Sequence, residues 1–329
     1  MQAGNTEPTE PLDISVVIPV FNEEPNINPL HSKVHEALEK LGLSYEVIYV
    51  DDGSRDDSYR LLDAIAAQDQ RVKLVRFRRN FGQTAAMAAG MDNARGRVII
   101  PLDADLQNDP ADIPRLLAKM DEGFDVVSGW RKKRKDNSIR RIPSRIANKI
   151  ISRVTGVALH DYGCSLKAYR ADIMRDVNLY GEMHRFIPAY AAIVGARVTE
   201  IPVEHHPRIA GVSKYGIGRV FRVVLDLLVV KFLGGYGSKP IYFFGGAGIW
   251  CFALGILTWT VTLAQKYWVQ WQGITDYHAN RNPLFYIGIM LFLMGMQCLM
   301  LGLLAEVNMR TYHESQGKTP YAVAETRNL

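Results

Sequence analysis

Two long runs without a charged residue constrain this chain more than any other feature. They cover residues 240–264 and 283–305, and each carries aromatic residues near its ends. A run of about 20 apolar residues can cross the hydrocarbon layer of a bilayer, which is ~30 Å thick. Two buried helices of a soluble protein are the alternative interpretation, but uncharged runs of this length favour membrane-spanning helices. We therefore predict two transmembrane helices.

The charges around these runs predict how the chain is oriented. Lysine and arginine are dense before residue 240 and sparse between the two runs, which places the large N-terminal part in the cytosol. An even number of spans returns the C-terminus to the same side. The predicted segments are a disordered leader (1–12), a cytosolic domain (13–215), a helix at the bilayer surface (216–239), a first span (240–264), an extracytoplasmic loop (265–282), a second span (283–305) and a cytosolic C-terminal tail (306–329).

The basic character of the chain has more than one interpretation. The net charge is +5 and the pI is near 9.0, which suits nucleic acid, an anionic membrane surface or phosphate-bearing substrates. Residues 131–145 contain eight lysines and arginines, with isoleucines at nearly helical spacing in and after this run. The pattern favours an amphipathic helix at a membrane surface over a solvated face. Nucleic acid is not expected as a partner, because no aromatic residues are interleaved with the basic run.

From residue 13 to about residue 127, strand patterns alternate with helical patterns. The strand patterns are "ISVVIPV", "YEVIYV", "VKLVRF" and "RVIIPL", and amphipathic or small-residue stretches lie between them. Repeated βα units of this length predict an α/β fold with a doubly wound, mostly parallel sheet. Ligands of such sheets bind beyond the carboxyl ends of the strands.

Acidic residues follow three of these predicted strands. Glu23 follows the first strand, Asp52 the second, and Asp103 and Asp105 the fourth. A single acidic turn after a strand is usually a solvated turn or a helix cap. Three such turns at the same end of adjacent strands instead predict a functional site at one edge of the sheet.

The spacing of the last two acids predicts a cation site. Residues i and i+2 of an extended segment point the same way, so Asp103 and Asp105 can present their carboxylates together, with Gln107 two residues further on. Two neighbouring carboxylates repel each other, and Mg²⁺ or Mn²⁺ relieves that repulsion while sharing its shell with phosphate oxygens. A carboxylate pair for acid–base hydrolysis is the competing interpretation, but it does not need the basic residues downstream. The chain has no P-loop motif, no GxGxxG after its first strand and no zinc-like cysteine spacing, so we expect side chains and a cation to hold a diphosphate.

Several motifs resemble a known family. The stretches "VVIPVFNEE", "VDDGSRDDS", "RNFGQTAAMAAG" and "DADLQNDP" are similar to the inverting glycosyltransferases of family 2, with a nucleotide-sugar-binding domain of type A. The stretches "DYGCSLKAYR" and "RIAGVSKY", with the two C-terminal runs, resemble the polyprenyl-phosphate branch, which includes dolichol-phosphate mannose synthase. The "DYGC" stretch looks most like the undecaprenyl-phosphate 4-deoxy-4-formamido-L-arabinose transferases. The QxxRW motif of processive polysaccharide synthases is not in the sequence, which disfavours a polymerising enzyme.

The resemblance implies a metal-dependent, inverting transfer of a sugar from a nucleotide diphosphate, with uridine favoured, to polyprenyl phosphate at the cytosolic face of the inner membrane. It implies Mg²⁺ or Mn²⁺ as the cofactor and a homotetramer as the assembly. The residues implied for nucleotide-sugar binding are Pro19, Phe21, Glu23, Val50, Asp52, Asp103, Ala104, Asp105, Gln107, Arg131, Arg185, Arg208 and Lys214.

Within that set the resemblance implies separate roles. Metal contacts fall on Asp103, Asp105 and Gln107, and phosphate contacts in the leaving nucleotide fall on Arg208 and Lys214. The acceptor phosphate is implied to bind Arg140 and Ser144. His184 is an alternative to Arg185 as the basic contact, and Asp161 either assists catalysis or orders its loop.

A phosphate acceptor determines the expected mechanism. A phosphate monoester is already an anion near neutral pH, whereas a hydroxyl acceptor needs a general base. We therefore expect no dedicated base, and catalysis by alignment and by neutralising the leaving group. Two alternatives stay open: transfer to a hydroxyl lipid such as a diacylglycerol or ceramide, and a membrane scaffold without chemistry. The sequence patterns do not identify the sugar.

Overall fold

The structure, a computed structural model, contains one eight-stranded mixed sheet and a pair of long apolar helices. It describes residues 12–132, 148, 151–153, 155–175, 177, 183–207, 240–273, 278–315 and 321–329. The strands are β1 (Ile14–Val20), β2 (Tyr45–Asp51), β3 (Val72–Phe77), β4 (Val98–Pro101), β5 (Val126–Trp130), β6 (Lys167–Arg170), β7 (Val198–Pro202) and β8 (Val323–Arg327).

The sheet is mostly parallel, as the βα repeats predict. Its strand order is β7-β5-β6-β4-β1-β2-β3-β8. Only β6 and β8 run against the other described strands. Because β4, β1 and β2 are adjacent and parallel, their carboxyl ends meet at one edge of the sheet.

Helices cover both faces of the sheet. They are α1 (Glu24–Glu39), α2 (Ser58–Gln68), α3 (Gln83–Asp92), α4 (Ile113–Asp121), α5 (Ala171–Arg175) and α6 (Ile187–Ile193), with short 3-10 turns at Pro110–Asp112 and Met183–Arg185. Apolar residues of α1, α2 and α4 share one buried cluster with alternate residues of the central strands. Residues of α3 and α6 pack on the opposite face. This three-layer arrangement confirms the prediction of a doubly wound α/β fold.

The central strands are hydrophobic because helices cover both of their faces. Nearly every side chain of β1 and β2 is buried, as in "ISVVIPV". The helix α3 consists mainly of alanine and other small residues, because it lies close against β1 and β2.

Two long apolar helices follow in the chain, α7 (Pro240–Trp271) and α8 (Pro283–Ser315). By length and composition, residues Phe243–Trp271 and Pro283–Ala305 are candidate membrane spans, with mean hydropathies of 1.7 and 2.2. At 1.5 Å per residue these segments measure about 44 Å and about 35 Å, enough for a ~30 Å hydrocarbon layer. Both helices run past the predicted span ends at residues 264 and 305, since no helix breaker stands there and Gly273 is the first residue with positive φ after α7.

The last segment of the chain has a structure that the sequence did not reveal. Residues after 305 were expected to form only a tail, but β8 pairs antiparallel with β3 and becomes an edge strand of the sheet. Five ordered residues therefore return to the domain in which the chain begins.

Candidate active site

The carboxyl ends of β1, β2 and β4 carry the predicted acidic residues to one edge of the sheet. The loop after β1 contains Glu23, the loop after β2 contains Asp52, and the loop after β4 contains Asp103 and Asp105. The strand register places these loops side by side. The shared location that the sequence predicted is therefore present in the structure.

Hydrogen bonds tie the first two of these loops together. The backbone amide of Asn22, a residue with φ of 51°, donates to Ser54 Oγ at 3.0 Å, and the Arg55 amide donates to Asn22 Oδ1 at 2.8 Å. The Glu23 amide donates to Ser58 Oγ at 3.0 Å, while its carboxylate accepts from Asn26 Nδ2 at 2.7 Å. These bonds hold the predicted nucleoside-binding loop in one shape, with Pro19, Phe21 and Glu23 partly exposed beside it.

The carboxylate of Asp52 holds a third loop. Its Oδ1 accepts from the Phe81 amide at 2.6 Å and its Oδ2 accepts from the Gly82 amide at 2.9 Å. Burial raises the pKa of Asp52, against these two hydrogen bonds, which lower it. Gly53 has φ of +69°, and a Cβ there would lie 2.6 Å from the backbone carbon of Arg79, so only glycine allows the β2 and β3 loops to approach this closely.

Two predicted nucleotide contacts are buried in the core. Val50 is fully buried in a cluster packed against α3, and Ala104 is 4% exposed among core residues of the other face. Their side chains pack in the core beneath the loops after β2 and β4. Direct contact of Val50 or Asp52 with a nucleoside stays a prediction.

The turn after β4 brings its two aspartates together. Asp103 Oδ1 accepts a hydrogen bond from Gln83 Nε2 at 2.8 Å, and Asp105 Oδ1 accepts from the Gln107 amide at 3.1 Å. Leu106 adopts φ of 58°, a left-handed conformation that is strained for leucine, and burial of its side chain stabilises the turn. Burial raises the pKa of Asp103, and the charge of Asp105 raises it further.

These groups fit a hard divalent cation. Mutual repulsion between two carboxylates is what an Mg²⁺ or Mn²⁺ ion relieves, and the Gln107 side chain adds a third oxygen donor to the turn. Among the described residues, no group of three His, Cys, Asp or Glu side chains is arranged to hold a metal ion. A cation here would therefore complete its shell with water and substrate phosphate oxygens.

A buried ion pair lies beside the aspartates. Arg131 donates from Nε to Asp161 Oδ2 at 2.7 Å and from Nη2 to Asp161 Oδ1 at 2.9 Å. The two side chains are only 12% and 5% exposed. Burial acts to lower the pKa of Arg131, but the hydrogen bond and charge of Asp161 outweigh it, so the pKa is raised and the guanidinium stays charged.

Lys167 is a second buried cation that the sequence gave no reason to single out. It belongs to β6, is 3% exposed and donates through Nζ to the backbone carbonyls of Tyr162 and Cys164. Burial lowers its pKa to about 8. Burial also raises the pKa of the Cys164 thiol to about 11, which fits a packing residue and not a nucleophile.

His184 and Arg185 differ in charge. Burial, Arg185 and Lys167 lower the pKa of His184 to about 3, so this imidazole is neutral at physiological pH. His184 Nε2 accepts from Arg185 Nε at 3.4 Å, which leaves Nδ1 as the donor to Thr84 Oγ1 at 2.7 Å. A neutral imidazole cannot act as a cationic contact, so Arg185 is the better candidate of the two.

Other predicted residues have structural partners or lie outside the described part of the chain. His206 Nε2 pairs with Asp109 at 2.9 Å, and His205 is buried. Arg140, Ser144, Arg208 and Lys214 lie outside the described residues, as do the predicted surface helix at 216–239 and most of the basic run.

Comparisons with known proteins agree with this fold. Residues 15–177 match the model of the family described as glycosyl transferase family 2. A dodecaprenyl-phosphate galacturonate synthase from Rhizobium johnstonii is 44% identical over 329 residues, with 98% of this chain and 95% of the relative covered. An undecaprenyl-phosphate 4-deoxy-4-formamido-L-arabinose transferase from Shewanella sediminis is 37% identical over 313 residues, with 95% and 92% covered.

A solved structure shows the same fold. The chain superimposes on glucosyl-3-phosphoglycerate synthase from Mycobacterium tuberculosis, determined with Mn²⁺, uridine diphosphate and phosphoglyceric acid, with a TM-score of 0.51 and 15% identity. The match covers 68% of this chain and 78% of that one.

The fold, the acidic edge of its sheet and the family match define a glycosyltransferase with a nucleotide-sugar-binding domain of type A, and the chain belongs to glycosyl transferase family 2. Its full-length relatives place it in the polyprenyl-phosphate glycosyltransferase branch of that family. The recognition made from the motifs is confirmed.

Proposed function

We propose that this enzyme transfers a sugar from a uridine diphosphate donor to a polyprenyl phosphate at the cytosolic face of the inner membrane, with inversion at the anomeric carbon. One observation carries the proposal: Asp103 and Asp105 lie two residues apart in the turn after β4, at the carboxyl edge of the sheet beside the loop after β1. This edge is where α/β folds bind nucleotides.

A divalent cation, Mg²⁺ or Mn²⁺, is proposed to bind Asp103, Asp105 and Gln107. When bound, it would neutralise negative charge on the diphosphate as the nucleotide leaves. The structure of the glucosyl-3-phosphoglycerate synthase, which has the same fold, was determined with Mn²⁺ and uridine diphosphate. These two ligands are therefore the first to test. The aspartates must be ionised for this role, and a cation favours their ionised form.

The other site residues are proposed to bind the donor by their position. Pro19, Phe21, Glu23 and Asp52 line the loops after β1 and β2, where the nucleoside is expected. Arg131 and Arg185 are the described cations proposed to contact the diphosphate or sugar. Val50 and Ala104 support these loops from the core, and the proposed phosphate contacts of Arg208 and Lys214 follow from the family resemblance.

The acceptor phosphate is proposed to attack the anomeric carbon without a general base. It is already ionised near neutral pH, so no proton has to be removed. Both carboxylate oxygens of Asp161 accept hydrogen bonds from Arg131, which makes this acid a poor candidate for deprotonating a hydroxyl acceptor. Arg140 and Ser144 are proposed to hold the acceptor phosphate, where an arginine can bind bidentately.

The proposed membrane topology is supported by the last strand. The residues before α7 and the residues after α8 both contribute to one sheet, since β8 pairs with β3. If both candidate spans cross the bilayer, the chain therefore returns to the side from which it left. Two crossings with the catalytic domain and both termini in the cytosol satisfy this requirement and the positive-inside rule. A homotetramer is proposed from the family resemblance.

Galacturonate is proposed as the first sugar to test. The galacturonate synthase is 44% identical to this chain, whereas the formamido-arabinose transferase from Shewanella sediminis is 37% identical, at similar coverage. The two sugars differ in charge, since a uronic acid carries a carboxylate. The identity difference favours a uronic acid donor.

The purified full-length enzyme in detergent tests the proposal. It would be supplied with undecaprenyl or dodecaprenyl phosphate, Mg²⁺ or Mn²⁺, and a panel of UDP-sugars that includes the galacturonate, galactose and formamido-arabinose forms. Mass spectrometry of the lipid fraction is expected to show one polyprenyl-phosphate sugar, which is lost on chelation of the cation. A product formed with diacylglycerol but not with polyprenyl phosphate would overturn the acceptor assignment.

A further inference from the structure

The ion pair between Arg131 and Asp161 lies close to the proposed cation ligands. Arg131 follows β5 and Asp103 follows β4, so both lie at the carboxyl edge of the sheet, one on each side of the segment that leads into β6. That segment contains Asp161 and is bonded to the turn after β4, since Asn108 Nδ2 donates to Ser165 Oγ at 2.6 Å. Arg131 directs both of its described side-chain hydrogen bonds to Asp161.

Asp161 is itself held in place from two sides. Its Oδ1 accepts from the Gly163 amide at 3.1 Å, and its Oδ2 accepts from the Arg131 amide at 3.4 Å. A Cβ on Gly163 would lie 3.2 Å from Arg131 Nη2 and 3.5 Å from Asp161 Oδ1, so glycine leaves the space that the ion pair occupies. The loop that contains Asp161 and Gly163 therefore packs around this ion pair.

An arginine released from Asp161 would have a competing partner nearby. A guanidinium binds a carboxylate bidentately, and two adjacent carboxylates with little solvent around them attract it strongly. Pairing with Asp103 or Asp105 would occupy the oxygens that a divalent cation needs. The Arg131 guanidinium and the divalent cation, both positively charged, would then compete for the same carboxylate oxygens.

We propose that Asp161 is a positioning residue that holds Arg131 away from Asp103 and Asp105, so that their oxygens stay available to a divalent cation while the guanidinium faces the donor diphosphate. This inference rests on the proposed cation site. It assigns Asp161 a role in cation binding that does not require contact with the cation or with the reacting atoms.

Direct Mn²⁺ binding tests the inference without relying on catalysis. The full-length enzyme in detergent would be titrated with Mn²⁺ alone, and free Mn²⁺ would be followed by electron paramagnetic resonance. Asp161→Asn is expected to weaken Mn²⁺ binding on the order of tenfold, as for loss of other residues that orient metal ligands. The double variant Asp161→Asn with Arg131→Met is expected to bind Mn²⁺ as tightly as Arg131→Met alone.

Recovery in the double variant separates positioning from a general structural role. If Asp161 only stabilised its loop, removal of a second buried group would not restore Mn²⁺ affinity. Asp109→Asn is the matched control, because Asp109 is an acid near the same turn that pairs with His206, and its substitution is expected to leave Mn²⁺ affinity unchanged.

The outcomes distinguish this inference from the proposed function. Absence of Mn²⁺ binding to the wild-type enzyme would overturn the proposed cation site and this inference with it. Normal Mn²⁺ affinity in Asp161→Asn, or a double variant as weak as that single variant, would overturn the inference alone. If thermal unfolding shows that Asp161→Asn does not fold, Gly163→Ala replaces it: the added methyl crowds Arg131 Nη2 at 3.2 Å. Reduced Mn²⁺ affinity is expected there, and unchanged affinity would overturn the inference.

Discussion

The ring of Tyr321 stacks on the ring of Phe77, with centroids 5.1 Å apart and planes inclined by 18°. Tyr321 comes after both candidate membrane spans, whereas Phe77 ends β3 in the first half of the chain. The Tyr321 hydroxyl also donates to Asp92 at 2.8 Å. Nearby, Glu325 accepts from the Tyr59 hydroxyl at 2.7 Å, so the last segment is attached by both apolar and polar contacts.

We expect Tyr321→Ala to destabilise the catalytic domain, because it removes a ring that covers Phe77. The loss should be about 2 kcal/mol for a partly buried aromatic residue. Tyr321→Phe keeps the ring and loses only the hydrogen bond to Asp92, so it should cost about 1 kcal/mol or less. Thermal unfolding of the purified enzyme measures both. Equal stability of the alanine variant and the wild type would show that the Tyr321 ring contributes little to stability.

Substitution of either proposed cation ligand should abolish transfer. Asp103→Ala and Asp105→Ala are each expected to lower kcat/KM more than about 100-fold, because the charge of the leaving diphosphate is no longer neutralised. Asp109→Ala serves as the control, since that side chain pairs with His206 instead. Product formation from the best UDP-sugar and the unfolding temperature should be measured together. Full activity in a folded Asp105→Ala enzyme would refute metal-assisted departure.

Lys167 predicts a pH dependence of stability. Its pKa is lowered to about 8 in the folded protein, while the unfolded chain keeps the ordinary value near 10.5. Between these two pH values the unfolded state binds more protons than the folded state, so this group makes stability rise with pH across that window. Below pH 8 the folded protein bears the full cost of a buried charge.

Lys167→Met isolates this effect. The variant loses two hydrogen bonds to carbonyls, which shifts its stability at every pH. The methionine side chain at this position does not titrate, so the contribution of Lys167 to the pH dependence is removed. The difference in unfolding temperature between wild type and variant should therefore change between pH 8 and pH 10.5 in favour of the wild type. If the unfolding temperatures of wild type and variant changed in parallel with pH, burial would not lower the pKa of Lys167.

The two apolar helices pack closely through glycines. A Cβ on Gly248 of α7 would lie 2.9 Å from the carbonyl oxygen of Gly295 of α8. Gly248→Ala should therefore force the helices apart and lower the stability of the hairpin, since small residues allow the close approach of apolar helices. Gly246→Ala is the matched control, because a Cβ there would meet no atom within 4 Å.

The measurement is the unfolding temperature and the resistance to proteolysis of the two variants in the same detergent. A lower unfolding temperature is expected only for Gly248→Ala. Equal behaviour of the two variants would show that close helix packing at this position is not required. Of the glycines at 245, 246 and 248, the structure assigns a packing role to Gly248 most directly.

The sequence was sufficient for features that depend on local pattern. The alternation of strands and helices predicted a doubly wound sheet, and the acidic turns after three strands predicted its functional edge. Topology connects these two predictions, because adjacent parallel strands must place their carboxyl ends together. The motif resemblance then added the glycosyltransferase family, which the relatives confirm.

Some features of the site could not be predicted in this way. No spacing rule joins Gln83 to Asp103, Arg131 to Asp161, or Lys167 to the carbonyls beneath the "DYGC" turn. The exposed strand β8 also lacks the hydrophobic alternation that marks a core strand, since all five of its residues are exposed.

The sequence by itself determined the fold class, the two long apolar runs and the acidic residues at the carboxyl edge of the sheet. Only the tertiary structure decided which charge pairs with which, that His184 is neutral beside Arg185, and that the chain returns to its own sheet after the apolar helices. The physical reason is the range of the interactions. Periodicity and turn chemistry act between near neighbours in sequence, whereas burial, ion pairing and pKa depend on groups that only folding brings together.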